Sequence, residues 1–367
     1  MHKNFRKLCL ILIVLLAFIL IPNGFAFGNR DKEEKDSSVH TEHEKEKFDP
    51  GSFIFDHVTD SYEWHILNIK DFHFSIPLPI IVFSKESGLH SFWSSKFHHG
   101  HSEYKGFRIS QTEPDEGKVV EIMEDGTELK PLDFSITKNV FAIFISLGLL
   151  LWIFISIARK YEKSKVPSGF QNAMEPLILF IRDDVAIPAI GKEKYEKYMP
   201  FLLSAFFFIL INNLLGLVPI PPGGANVTGN LAVTGVLALF TMVITAINGN
   251  KYYWQEIYDA PGVPWWLKIP IPLMPIIEIV GLFTKPFVLM IRLFANIAAG
   301  HIIAMGFFSL IFIFGDIIPY LGYAVSPITL IFTVFMSVIE LLVAFVQAYV
   351  FTLLSALYFG MATAEHH

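Results

Sequence analysis

The run from Met274 to Phe314, MPIIEIVGLFTKPFVLMIRLFANIAAGHIIAMGFFSLIFIF, is 41 residues of nearly unbroken apolar character. Its only formal charges are Glu278, Lys285 and Arg292, with His301 beyond them. A second run, Ile328 to Met361, holds 34 residues and one charge, Glu340. As helices the two would extend about 60 Å and about 50 Å, against a hydrocarbon core about 30 Å thick. Tilt absorbs such mismatch, commonly up to about 40°, and a rod of about 60 Å confined to that core must lie about 60° from the normal. A break at Pro286 or Gly300 into two spans is the alternative. Neither place offers a polar turn, which favours two steeply inclined helices.

Arg292 is the most informative residue within these runs. A guanidinium at bilayer depth costs at least about 2.5–3.5 kcal/mol and cannot shed its proton. It therefore implies a water-filled cavity or a fixed counter-charge, and hence ion chemistry inside the membrane. Folding the chain back near Pro319-Tyr320-Leu321-Gly322 sets residues whose numbers sum to about 640 opposite one another. Arg292 then meets Gln347, and His301 meets Glu340. At about 100° per residue, Glu278, Lys285, Arg292 and Asn296 share one face, and His301 falls half a turn away. Glu340 and Gln347 share a face of their own helix.

The composition fits a membrane protein: 53% hydrophobic, with 36 Phe and 17% charged, where soluble chains carry about a quarter charged. The net charge of −6 says little, because charges crowd residues 29–130 and short loops. No basic stripe suggests nucleic acid.

Residues 1–26 read as a secretory signal, with Lys3, Arg6 and Lys7 before the apolar Leu8–Ile21 and a small-residue cleavage site at Gly24-Phe25-Ala26. An uncleaved anchor is the alternative. Cys9, the only cysteine, cannot found a disulfide framework. Residues 27–47 are a charged tether with little to bury. From 48 to 133, short alternating apolar stretches between turn signals predict a small β-rich extramembrane domain. Nine histidines fall between His40 and His101, but no familiar ligand spacing completes a metal site, and a solvated polar loop is the expectation.

The membrane domain, 134–367, is expected to be all-α. Five spans fall at about 136–157, 199–218, 231–248, 272–315 and 326–362, with an interfacial or bundle-packed helix at about 169–185. Arg159, Lys160, Lys163, Lys165, Arg182, Lys192, Lys194 and Lys197 make the first loop cytoplasmic. The turn Pro219–Gly224 has no basic residue and lies outside, the loop with Lys251 and Lys268 inside, and the 316–326 turn outside. The 48–133 domain is thereby external and the C-terminus internal.

The segments TKPFVLMIRLFANIAAGH (284–301) and VIELLVAFVQAYVFTLLSALYFG (338–360) resemble the paired long helices of subunit a of F-type ATP synthases. INNLLGLVPIPPGGANVTGNLAVT (211–234) is similar to that family's preceding hairpin. The resemblance covers about Tyr198 to Ala364, with weaker agreement back to Phe134, and says little about residues 29–133. It implies a non-catalytic, proton-translocating stator subunit in a bacterial inner membrane, without cofactor or metal. Its implied partners are a ring of c subunits, b-type peripheral stalk subunits and the rest of the synthase.

By the same resemblance, Arg292 is the essential arginine facing the ring, with Asn296 and Gln347 as polar neighbours that help position it. His301 and Glu340 stand where the family places an exchanged histidine–glutamate pair. Asn213 matches a polar position of the outer half-channel, and Glu278 an acid of the cytoplasmic exit. Gly216 departs from bacterial members that carry an acid there, so the resemblance does not carry that contribution to proton entry over to this chain.

Plainer readings stand beside these. Buried Asn and Gln often bridge helices, and Asn213 suits either role. Lys285 can pair with Glu278 or snorkel to the boundary. Asn226-Val227-Thr228 matches a glycosylation sequon, but in a short turn local hydrogen bonding is expected. A stand-alone channel or secondary transporter is the competing function, though no self-similar halves are visible. An intramembrane hydrolase lacks a Ser/His or metal constellation at depth.

Overall fold

In a computed structural model, the described residues are 50–364 apart from 52–53, 55–57, 70–71, 99, 101, 113–114, 124–125, 164–165, 167–168, 219–222 and 259–272. The signal and tether expectations lie outside them, as do Pro219–Pro222, Lys268, His99 and His101. The chain forms two compact units. Of the described residues, one holds Ala142–Ala298 and those from Glu340 on, and the other those before Ala142 with Ala299–Ile339.

Among the described residues, the β-rich region contains eight strands: β1 (Glu63–Ile69), β2 (Phe72–Pro77), β3 (Pro79–Ser84), β4 (Gly88–Trp93), β5 (Phe107–Ile109), β6 (Val119–Ile122), β7 (Glu128–Leu129) and β8 (Leu132–Asp133). They form a β1-β2 hairpin and two antiparallel three-stranded sheets, β4-β3-β8 and β5-β6-β7. Strand alternation sends Ile80, Val82 and Phe92 inward, where they meet Tyr62, Phe97, Phe107 and Val119 in one core. Glu121, although buried, accepts hydrogen bonds from the hydroxyls of Ser84 and Ser87, which satisfies its charge.

Among the described residues, five helices are long and apolar enough to cross a membrane. These are α1 (Lys138–Lys163), α3 (Tyr195–Leu217), α4 (Leu231–Asn248), α6 (Leu273–Ile317) and α7 (Pro319–Thr363). Between α1 and α3, α2 (Phe170–Phe180) runs on through a π-helical stretch, Ile181–Ala186, and a last turn, Ile187–Ile190. Ile181, Val185 and Ala186 of that stretch are buried, while Arg182 and Asp183 pair on the exposed side at 2.7 Å. Phe180 lies 5.4 Å from Tyr349, so this helix packs on the bundle. α3 is apolar all round and buried along 72% of its most apolar window, which makes it the centre of its unit. Asn230 caps α4, its Oδ1 accepting from the Ala232 N–H at 2.9 Å.

α6 and α7 run unbroken for 45 residues each, about 68 Å at the helical rise. Neither Pro286 nor Gly300 interrupts α6. The reverse turn is tighter than the sequence suggested: Ile318 alone separates the helices. Pro319 opens α7, where its missing N–H costs nothing. The facing register matches the expected one. Phe307 stacks on Phe332 at 5.4 Å, and Gly322 passes so near Gly315 that a Cβ there would sit 2.8 Å from the Gly315 Cα. In the other unit, Lys285 lies over the Tyr358 ring at 6.0 Å. A short helix unforeseen from sequence, α5 (Lys251–Tyr258), buries Tyr253 and Ile257 against Ala362.

Candidate functional site

The face of α6 that carries Glu278, Lys285, Arg292 and Asn296 lies beside the packed face formed by Leu289, Leu293 and Ile297. Glu278 and Lys285 are half-buried; Arg292 and Asn296 are exposed. Arg292 stands near the middle of the 45-residue helix and, among the described residues, has no carboxylate within ion-pair distance. The exposed guanidinium therefore points away from the core of its own unit.

Tyr358 joins this group and was missed from sequence. Its ring receives the Lys285 ammonium, and it lies within electrostatic reach of Arg292. The signal was available: Tyr358 follows Gln347 by eleven residues, three turns of helix, and so shares its face. A cleft beside it is lined by Thr241, Thr245, Tyr253, Lys285 and Tyr358. The hydroxyls of Thr241 and Ser355 lie 3.1 Å apart nearby, tying α4 to α7.

Gln347 is buried at 6% exposure, between the equally buried Ala344 and Ala348. Asn213 of α3 is buried as well, and its amide is used at both ends. Its Nδ2 donates to the Ala344 carbonyl at 3.1 Å, and its Oδ1 accepts from the Thr228 hydroxyl at 2.5 Å. One side chain thus fastens α3, α7 and the loop before α4. The sequon residues are absorbed locally: Asn226 is buried, and its Oδ1 accepts the Gly229 N–H at 3.0 Å.

His301 lies on α6 and Glu340 on α7, both half-buried and each in a different unit. Lys138, the first residue of α1, is buried within electrostatic reach of His301. Nothing in the sequence had linked those two. Among the described residues, no group of three His, Cys, Asp or Glu side chains could hold a metal ion.

The family model described as ATP synthase A chain matches residues 140–360. A second, described as a domain of unknown function, matches residues 53–134. The curated protein "ATP synthase subunit a" of Chloroherpeton thalassium is 42% identical over 247 residues, 65% of this chain and 69% of that protein. "ATP synthase subunit a 2" of Chlorobaculum tepidum is 45% identical over 247 residues, covering 65% and 66%. "ATP synthase subunit a" of Myxococcus xanthus is 46% identical over 243 residues, covering 64% and 75%.

Proposed function

The chain belongs to the ATP synthase A chain family, as a multi-pass, proton-translocating subunit a of the F-type membrane sector, and from that premise we propose that Arg292 forces proton flow to pass through a rotating ring of c subunits. The observation that carries this reading is a guanidinium midway along an apolar helix, without an ion-pair partner among the described residues and exposed on a surface that they leave bare. Only 17% of the most apolar window of α6 and 11% of that of α7 is buried, against 72% for α3. Such a surface suits a large partner carrying carboxylates.

The chemistry follows from what each group can hold. An arginine side chain keeps its proton in a protein, so Arg292 cannot pass a proton on. It can stabilise a deprotonated ring carboxylate and repel a proton attempting a direct crossing. His301 and Glu340 titrate at accessible pH and can relay protons from the outer water to the ring. Asn296 and Gln347 steady the arginine, Asn213 holds the outer half-channel together, and Glu278 beside the Lys285–Tyr358 cleft provides the inner exit. A ring carboxylate loses its proton on reaching Arg292 and regains one from the other half-channel beyond it. One charge crossing 100 mV releases about 2.3 kcal/mol, so several crossings are coupled to each ATP formed elsewhere in the complex. The basic first loop orients the 48–133 domain outside and the C-terminus inside a bacterial inner membrane, with b-type subunits holding the stator.

The test is Arg292→Ala in inverted membrane vesicles. ATP-driven proton pumping should vanish while ATP hydrolysis by the soluble sector persists. Normal pumping by that variant removes the assignment.

A further inference from the structure

The outward face of the β4-β3-β8 sheet bears an apolar stripe that no described residue covers. Phe83 stands opposite Leu89 on one side and Leu132 on the other, and the three are 43%, 68% and 49% exposed. Trp93, 56% exposed, and Phe134, 43%, continue the stripe towards the start of α1. Trp93 pairs with Pro79, whose carbonyl accepts the Ile136 N–H at 3.0 Å, two residues before α1 begins. The alternate residues of these strands fill the domain core, so the outward set is a second apolar surface.

This surface cannot drift away from the bilayer. Strand pairing continues to Ile136 and α1 starts at Lys138, which leaves no flexible linker. Asp60 accepts from the Asn139 N–H at 3.0 Å and from the Thr137 hydroxyl at 2.7 Å, and the Ser61 carbonyl accepts the Lys138 N–H at 2.9 Å. Trp64 packs edge-on against Phe141 at 5.7 Å, inside the first turn of the span. The sheet is thus fastened to the first turn of α1, and the end of a span meets a headgroup layer about 5–8 Å deep.

We propose that this face lies on the lipid bilayer, on the side where α1 begins, with Trp93, Phe134, Phe83 and Leu89 seated among the headgroups. Tryptophan is enriched at that depth because its ring is apolar and its N–H is polar. Left in water, a stripe of this kind would invite association; against the membrane it is covered by the solvent that is always adjacent.

Ser91 lies on the same exposed face, between Leu89 and Trp93, and Glu116 on an exposed turn between β5 and β6. With Cys9 replaced by Ser, Ser91→Cys and Glu116→Cys each take a nitroxide label in the whole ATP synthase, reconstituted in phosphatidylethanolamine–phosphatidylglycerol vesicles. ATP-driven pumping by the labelled complexes verifies assembly. At position 91, relaxation by molecular oxygen should exceed that by a water-soluble nickel chelate several-fold; at 116 the order should reverse. Chelate access at 91 equal to that at 116 overturns the proposal. Protection of 91 from both reagents also overturns it, since a protein would then cover the face. The label reads lipid contact independently of Arg292.

Discussion

Asp60 caps a helix that begins 78 residues further along the chain: its Oδ1 accepts the Asn139 backbone N–H at 3.0 Å in the first turn of α1. N-caps are normally supplied by the residue just before the helix. Here Thr137 makes that local bond, its Oγ1 accepting the Val140 N–H at 3.4 Å, and Asp60 of the domain takes the neighbouring N–H, so the second cap also ties the domain to the start of the span. Asp60→Ala should cost about 1–2 kcal/mol, the usual value of a lost cap. Hydrogen exchange at Lys138–Phe141 should accelerate and protease should cut residues 48–133 faster, while α3 stays protected. Unchanged exchange at Asn139 would mean that the cap contributes nothing.

Tyr62 makes the domain sensitive to alkali. Burial, reinforced by the Asp133 carboxylate to which its hydroxyl donates, pushes the phenol well above its ordinary value of 10.0. Because the folded-state value is raised, the stabilisation is complete below about pH 10 and is lost as pH rises through the higher folded value. Exchange of the β6 amides in the purified protein should therefore be flat from pH 7 to about 9, after correction for intrinsic rates, and rise steeply above about 10. Tyr62→Phe should flatten that rise, and it should cost about 1–3 kcal/mol at neutral pH because Asp133 loses a donor. Parallel alkaline limbs in the two proteins would exclude Tyr62 as the cause.

Asn213 and Thr228 form one fastening. Asn213→Ala and Thr228→Val should each lower the thermal midpoint of the detergent-purified protein, with a coupling of about 1 kcal/mol between them in a double-mutant cycle. Thr228→Val removes one bond and leaves the Asn213 link to Ala344, so pumping should survive it better than it survives Asn213→Ala. Strict additivity would show that the hydrogen bond carries no energy.

His301→Ala and Glu340→Ala should each reduce passive and ATP-driven proton flux by more than about tenfold, the scale of lost proton-transfer catalysis. Hydrolysis by the soluble sector should change little. Full flux in both variants would make the two residues packing elements only.

The membrane fold was legible because apolar run length is a direct record of burial in lipid. The five long apolar helices were readable, including the unbroken passage of α6 through Pro286, and so was a helix at α2, whose packing the sequence left open between interface and bundle. The facing register followed from counting back from a turn, and Phe307 on Phe332 and Lys285 over Tyr358 bear it out. What escaped were features decided by packing between distant segments. α5 has no apolar run of its own; its helix depends on Tyr253 and Ile257 docking against Ala362. Lys138 beside His301, and Asp60 over α1, join residues far apart in sequence through geometry that periodicity does not encode. The charged face of α6 was legible because Glu278, Lys285, Arg292 and Asn296 follow the helical repeat, whereas Tyr358 looked like one more aromatic in a run of them.

The single-residue link between α6 and α7 has a mechanical consequence. Ile318 donates to the Phe314 carbonyl at 3.1 Å, and its own carbonyl accepts from Leu321 at 2.9 Å, so even the connector is bonded into both ladders. Two girders joined through so short a hinge have almost no slack at that end. Sideways thrust on one is taken up by the other before either can slip lengthwise. At its closed end the hairpin can therefore serve only as a stiff abutment.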